Sequence, residues 1–176
     1  ASDVYKRQGW MKDKNTFPPS LIKLLLEEIV IYFSDMSRAT KNLNDFASSM
    51  EDEYQRHTDA HIYVCRNPEI EHPFAAHFDV SHNIIVQCEG KTNFKVWKEV
   101  EDHTVEKQVK LDMKEEPILD VIMESGDAIW IPRYYPHHAI SLTPRLSVSF
   151  PFADDENSAH KELSLIHISE PTRHTR

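Results

Sequence analysis

From His61 onward the chain breaks into runs too short for helices and rich in β-branched and aromatic residues. "HIYVCRN" (61–67), "AAHFD" (75–79), "NIIVQCEG" (83–90), "NFKVWK" (93–98), "ILDVIM" (118–123), "DAIWIP" (127–132), "HHAISL" (137–142) and "RLSVSFP" (145–151) each read as one strand. Turn-forming pairs at Glu89-Gly90, Ser125-Gly126 and Thr143-Pro144 separate several of them. So many short strands bury their faces only if sheets pack on one another, which predicts a β-sandwich or jelly roll. Upstream, "TFPPS" (16–20) reads as a helix start with proline in the first turn. Leu21, Leu24, Leu25, Glu28 and Ile29 follow at helical spacing, and Phe33 ends the pattern. A second helix is expected over Ala39–Arg56, with Leu43, Phe46, Ala47, Met50 and Tyr54 on one side. The expected fold class is mostly β, with N-terminal helices packed outside. The acidic segment Glu99–Glu116 reads as an insertion between strands.

The two ends are of another kind. "ASDVYKRQ" and "LSLIHISEPTR" back-translate, codon by codon, into the two opposing adapters of transposase-based DNA library preparation. Ala1–Gln8 and Leu163–Arg176 are therefore expected to be adapter-derived and are set aside from the fold. The expected organisation is then a helical segment over 9–60, a β core over 61–152 and a truncated C-terminal segment over 153–162. The whole chain carries a net charge of −9. The flanks hold four basic and two acidic residues, so the remainder stands at −11. That balance argues against binding a nucleic-acid backbone, which needs a basic footprint. The longest apolar run, "LIKLLLEEIVIYF", is interrupted by Lys23, Glu27 and Glu28, so no membrane span is expected. Cys65 and Cys88 make no disulfide framework, and a reduced cytoplasmic setting is the expectation.

The chemistry concentrates in "AAHFDVSHN" (75–83). On a strand, residues i and i+2 share a face, so His77 and Asp79 point one way and Phe78 the other. An imidazole and a carboxylate side by side are two thirds of the facial triad that holds non-haem iron, which leaves open positions for a chelating co-substrate and dioxygen. The third ligand is expected from a later strand. In "GDAIWIPRYYPHHAISL" (126–142), Pro136 re-enters the sheet next to His137 and His138. Adjacent strand residues face opposite ways, so only one of the two can be a ligand. An isolated His-x-Asp pair is more often structural than metal-binding. Weight comes from the combination of that pair with a histidine entering a late strand of an all-β region. The other histidines between the two flanks, His57, His61, His72, His82, His103 and His160, have no comparable setting.

"HFDVSHNIIVQCEGKTNFKVW" (77–97) and "GDAIWIPRYYPHHAISLTPRLSVSFPF" (126–152) resemble the JmjC/cupin-like Fe(II)- and 2-oxoglutarate-dependent oxygenases. The similarity is to the branch containing the asparaginyl hydroxylase of hypoxia-inducible factor and the ribosomal oxygenases, and it covers Phe74 to Phe152. It implies a double-stranded β-helix with His77, Asp79 and His137 as iron ligands, His138 as a neighbouring non-ligand and Asn83 near the co-substrate. It also implies Fe(II), 2-oxoglutarate and O2 as reaction partners, and hydroxylation of a protein or peptide side chain. Demethylation of a methyl-lysine would use the same chemistry. Members often dimerise through added helices, which leaves a homodimer open.

One position departs from the pattern. The family places Lys or Arg two residues after the glycine of "Q-x-x-G", where it binds the distal carboxylate of 2-oxoglutarate. Here that residue is Thr92. Lys91 and Lys95 flank it but face outward if Thr92, Phe94 and Val96 face in. A buried carboxylate without a cation is costly, so another cation is needed. Arg145 and Ser147 resemble the R-x-S pair that other 2-oxoglutarate oxygenases carry on the equivalent strand, and both share a face with Ser149. The rival reading makes Arg145 a solvated residue at a strand start. The chain would then be a cupin-type metal protein without oxygenase activity, either an isomerase or a non-catalytic interaction module. Trp130, Tyr134 and Tyr135 fit a pocket rim or core packing equally, and only strand alternation favours Tyr63 near the co-substrate.

Overall fold

The computed structural model describes residues 30–68, 75–101, 103, 111–152 and 164–167. Among these are one helix, α1 (Lys41–Tyr54), and nine strands: β1 (Val30–Phe33), β2 (His61–Cys65), β3 (His82–Glu89), β4 (Thr92–Val96), β5 (Leu119–Met123), β6 (Asp127–Ile131), β7 (His137–Ser141), β8 (Arg145–Phe152) and β9 (Ser164–His167). All pair antiparallel. One sheet has the order β1-β2-β8-β3-β6-β9 and the other β5-β4-β7. The chain passes from the larger sheet to the smaller after β3, back at β6, across again at β7 and home at β8. This is a double-stranded β-helix. The isolated bridge between His77 and His137 adds the segment before β3 to the free side of β7. A lone bridge stands where the spacing predicts a strand over 75–79.

The sheets face each other over Ile85, Phe94, Val96, Met123, Ile129 and Ile131, contributed by β3, β4, β5 and β6. A second apolar cluster lies on the outer face of the larger sheet. There Val148, Phe150 and Phe152 of β8 meet Leu43, Met50 and Tyr54 of α1. The i, i+3, i+4 spacing of Leu43, Phe46, Ala47 and Met50 makes that helical face. Thr40 caps the helix by accepting the Leu43 N–H at 3.2 Å, and Gln55 ends it in the left-handed region at φ 54°. The rings of Phe46 and Phe150 lie 4.5 Å apart, and Tyr54 stacks on Phe152 at 4.6 Å. The helix therefore packs outside the barrel and leaves the interior to the site.

One expectation needs correction. Helical spacing runs to Phe33, yet Val30–Phe33 is a strand on the edge of the larger sheet, paired with β2 from Val30↔Cys65 to Phe33↔Ile62. Its β-branched residues and an available sheet edge outweigh the helical period. Most of the expected first helix lies outside the described residues, as do part of the acidic insertion and all of 153–162. Ser164–His167, within the expected adapter-derived flank, pairs along the open side of β6 from Trp130↔Ser164 to Asp127↔His167. No helix among the described residues is long and apolar enough to cross a membrane.

Candidate metal centre

His77, Asp79 and His137 each present one ligand atom to a common point, and these atoms lie within 4.8 Å of one another. The bridge that brings them together is made of backbone. His137 N–H donates to the His77 carbonyl at 2.7 Å, and His77 N–H donates to the His137 carbonyl at 3.1 Å. Side-chain bonds then aim the rings. His77 Nδ1 sits 2.9 Å from the Ala75 carbonyl, and His137 Nδ1 sits 3.0 Å from the Tyr135 carbonyl. A carbonyl can only accept, so each Nδ1 carries a proton, the tautomer that turns Nε2 towards the common point as the lone-pair nitrogen of a neutral ring. Burial, together with the adjacent His77, pushes His137 down to about 4, with Asp79 opposing. The 3.6 Å approach of His137 Nε2 to Asp79 Oδ2 is therefore made by a neutral imidazole and is not an ion pair. Asp79 is steered in turn: its Oδ2 accepts from Asn83 Nδ2 at 2.6 Å, and Asn83 Oδ1 accepts from Ser149 Oγ at 2.5 Å.

A second device holds the ligand strand from behind. Phe78, fully buried, meets the edges of Tyr134 and His103, whose rings stack 3.7 Å apart. Tyr134 adopts φ 66°, unusual for a bulky residue, and from there its N–H donates to the Asp79 carbonyl at 2.8 Å. His138, next to His137, is half-buried on the other face of β7, opposite Lys95 in register. It lies outside the ligand set.

Further along β8 the interior turns polar. Arg145, 5% exposed, donates from Nε to Ser141 Oγ at 2.8 Å and from Nη1 to Ser147 Oγ at 3.0 Å. Ser147 donates to Gln87 Oε1 at 2.9 Å, and Thr92 donates to the same oxygen at 3.0 Å. Burial pulls the guanidinium down to about 10, offset by Cys65 and Tyr63, so it remains charged at neutral pH. Lys95 faces outward to Asp120 at 3.5 Å, and Lys91 pairs with Glu124. Gly90 permits this arrangement: a Cβ there would fall 1.9 Å from the Pro144 carbonyl oxygen, so the β3–β4 turn meets the β7–β8 turn only with glycine, at φ 75°. Tyr63 pairs with Ser147 across β2 and β8; burial and the nearby Asp79 raise its phenol. Tyr32 sits beside it, 5.0 Å ring to ring, pushed up to about 12 by burial and then by Asp79. Its hydroxyl lies 3.0 Å from His61 Nδ1.

The geometry thus brings together His77, Asp79, His137 and Asn83 at one end of the interior, and Thr92, Arg145 and Ser147 at the other. Ser141, Ser149 and Gln87 complete the two groups and were not singled out from the sequence. Ser149 was visible as the third residue on the Arg145 face. The link from Ser149 to Asn83 spans 66 residues and leaves no local pattern.

The JmjC domain family matches residues 35–160, a span that holds every residue of both groups. The chain belongs to the JmjC domain family. This JmjC chain is 24% identical over 131 residues to the bifunctional lysine-specific demethylase and histidyl-hydroxylase NO66 of Drosophila persimilis, covering 73% of the chain and 19% of that protein. It is 25% identical over 123 residues to ribosomal oxygenase 1 of Danio rerio, covering 67% and 22%. It therefore spans about a fifth of the length of these relatives. Among solved structures, the Escherichia coli ribosomal oxygenase YcfD superposes with TM-score 0.56 at 20% identity, over 74% of the JmjC chain and 34% of YcfD. YcfD in complex with cobalt and 2-oxoglutarate superposes with TM-score 0.50 at 16% identity, over 81% and 45%. At such identities the likeness is one of fold.

The residues fit a first-row divalent metal. Two imidazoles and one carboxyl group converge from one side, with both Nδ1 atoms already engaged, which suits Fe(II) among other such ions.

Proposed function

We propose that this JmjC chain is an Fe(II)- and 2-oxoglutarate-dependent dioxygenase that hydroxylates a protein side chain. The observation that carries the proposal is the pairing of two preorganised groups in one interior: the His77–Asp79–His137 set, and a buried arginine held by two serine hydroxyls. Bound iron would supply dioxygen activation coupled to oxidative decarboxylation of 2-oxoglutarate to succinate and carbon dioxide. The protein's share is binding, orientation and exclusion of water.

His77, Asp79 and His137 hold the metal, and Asn83 fixes the Asp79 carboxylate through its amide N–H. Arg145 takes the distal carboxylate of the co-substrate. Four residue steps along β8 lead from Arg145 to Ser149, about 13 Å at the usual strand rise, a span that a five-carbon diacid and an arginine side chain fill together. Thr92 lies where relatives carry the cation, and a chain of two accepted hydrogen bonds on Gln87 links it to Ser147 and so to Arg145. The charge is supplied from β8 instead of β4, to the same region of the pocket.

The substrate is proposed from the relatives' names, a histidyl-hydroxylase and ribosomal oxygenases, as a side chain on a ribosomal protein. A net charge of −9 suits a basic partner segment of that kind. Two free thiols, Cys65 and Cys88, agree with a cytoplasmic site of action. The test is succinate release from 2-oxoglutarate in the presence of Fe(II) and oxygen. Release that requires both, and that His77→Ala abolishes, supports the proposal. No release from protein with iron bound removes the oxygenase reading and leaves a metal-binding cupin-like protein.

A further inference from the structure

Gln87 is a fully buried amide that joins the two sheets at the Arg145 end of the interior, and the function proposed above uses it only as a link between Thr92 and Ser147. Its orientation follows from its partners. Nε2 donates to the Glu89 carbonyl at 2.7 Å, and a carbonyl can only accept, so the other terminal atom is the oxygen. That carbonyl comes within reach because the β3–β8 ladder slips between Gln87 and Glu89. The oxygen then accepts from Ser147 at 2.9 Å and from Thr92 at 3.0 Å.

The consequence runs through Ser147. A hydroxyl has one proton, and here it is committed to Gln87, so Ser147 Oγ faces Arg145 Nη1 with a lone pair at 3.0 Å. Ser141 Oγ holds Nε at 2.8 Å from the opposite sheet. A planar guanidinium held at two nitrogens has its plane fixed. Both of these hydroxyls are neutral, and neither cancels the guanidinium charge. Thr92, Ser147 and Gln87 are each fully buried, which excludes water from replacing any of these bonds cheaply.

We infer that Gln87 is a positioning residue for the co-substrate: by committing the Ser147 proton it aims Arg145, and it thereby sets the preference of the pocket for a five-carbon 2-oxo diacid. The inference rests on the reading of Arg145 as the distal anchor. It assigns Gln87 no contact with the ligand. An isosteric apolar side chain at 87 takes away the acceptor that fixes the Ser147 hydroxyl, so its lone pair is no longer held on Nη1 and the anchor loses its aim.

The experiment is calorimetric titration of Mn(II)-loaded protein with 2-oxoglutarate, with 2-oxobutyrate, which has only the metal-chelating end, and with 2-oxoadipate, one methylene longer. Wild type is expected to favour 2-oxoglutarate over both. Gln87→Met is expected to weaken 2-oxoglutarate about tenfold or more while 2-oxobutyrate binding and manganese stoichiometry stay as in wild type. Ser147→Ala should give the same loss, and the double variant no further loss, because both act along one path. Gln87→Glu, run at mildly alkaline pH, supplies a second variant that keeps the accepted bonds. Its negative charge, one hydroxyl from Arg145, should likewise lower the affinity for 2-oxoglutarate alone. Wild-type preference in both Gln87 variants, or losses that add in the double variant, overturns the inference. Arg145→Ala separates the two levels: if it too keeps the wild-type preference, the anchor assignment fails, whereas loss in Arg145→Ala with none in the Gln87 variants removes only the role of Gln87.

Discussion

β4 enters the barrel interior with three residues of one face, and the two ends of that face differ in kind. Phe94 and Val96 join Ile85, Met123, Ile129 and Ile131 in a dry apolar cluster, whereas Thr92, two residues earlier, belongs to a hydrogen-bonded group with Gln87, Ser147 and Arg145. β3 shows the same contrast, with Ile85 between Asn83 and Gln87 on one inward face. Strand alternation decides which residues enter the interior, and it says nothing of whether that place is dry. The apolar half gains from removing hydrocarbon from water. The polar half loses by burial unless every group finds a partner, so its residues come as a linked set. One half is tuned for stability and tolerant of like-for-like exchange; the other is tuned for aim.

That contrast can be tested by disturbing each half separately. The largest loss of stability is expected from Phe94→Ala, which opens a cavity at a 1%-exposed site and should cost about 3–5 kcal/mol in denaturant unfolding. Any fall in metal affinity should follow the unfolded fraction only. Asn83→Ala should do the reverse. Freed from its 2.6 Å donor, Asp79 turns, and metal affinity by competitive chelation should fall about 10–100-fold with a smaller loss of stability. Unchanged metal affinity would detach Asn83 from the centre.

Next is the exchange of anchors. Arg145→Ala should weaken 2-oxoglutarate binding by at least about tenfold, and adding Thr92→Lys should restore part of it by supplying the charge from β4. Thr92→Lys alone sets a second cation beside Arg145 and should lower stability. Failure of the double variant to regain any affinity would show that the two positions do not address the same carboxylate.

The smallest effect is on pH dependence in the metal-free protein. Burial lowers His137 to about 4, and burial also lowers His61 against the opposing charge of Asp59. Both fold as neutral imidazoles, while the unfolded chain takes up protons near the ordinary histidine value of 6.5. Stability should therefore be level above about 6.5 and decline as pH falls below it, ahead of the acidic range in which Glu51 titrates. His61→Gln should make the decline shallower, measured as the thermal midpoint against pH. A profile that is flat down to about pH 5 would show that the histidines are not held neutral.

Much of the β core was legible because its signals are local. β3, β6 and β8 begin and end within a residue or two of their apolar runs, and His77 and Asp79 declared themselves by their two-residue spacing. Arg145 and Ser147 face inward together because alternation carries both. What stayed hidden depends on partners far away in sequence. Val30–Phe33 continues a helical apolar spacing, and only the edge of β2 makes it a strand. Gln87 reads as an ordinary polar strand residue until Ser147, 60 residues later, arrives opposite. Tyr134 carries no sequence sign of its left-handed backbone, which is held by Phe78, His103 and the Asp79 carbonyl. The His77–Asp79 segment itself gains its geometry from one backbone bridge to β7.

The most direct test is an anaerobic titration of the Fe(II)-loaded chain with 2-oxoglutarate, following the visible iron-to-ketoacid charge-transfer band, with His77→Ala and Arg145→Ala alongside. A band that His77→Ala abolishes and Arg145→Ala shifts to higher 2-oxoglutarate concentration is the predicted result. Bound iron with no band at any 2-oxoglutarate concentration would contradict it.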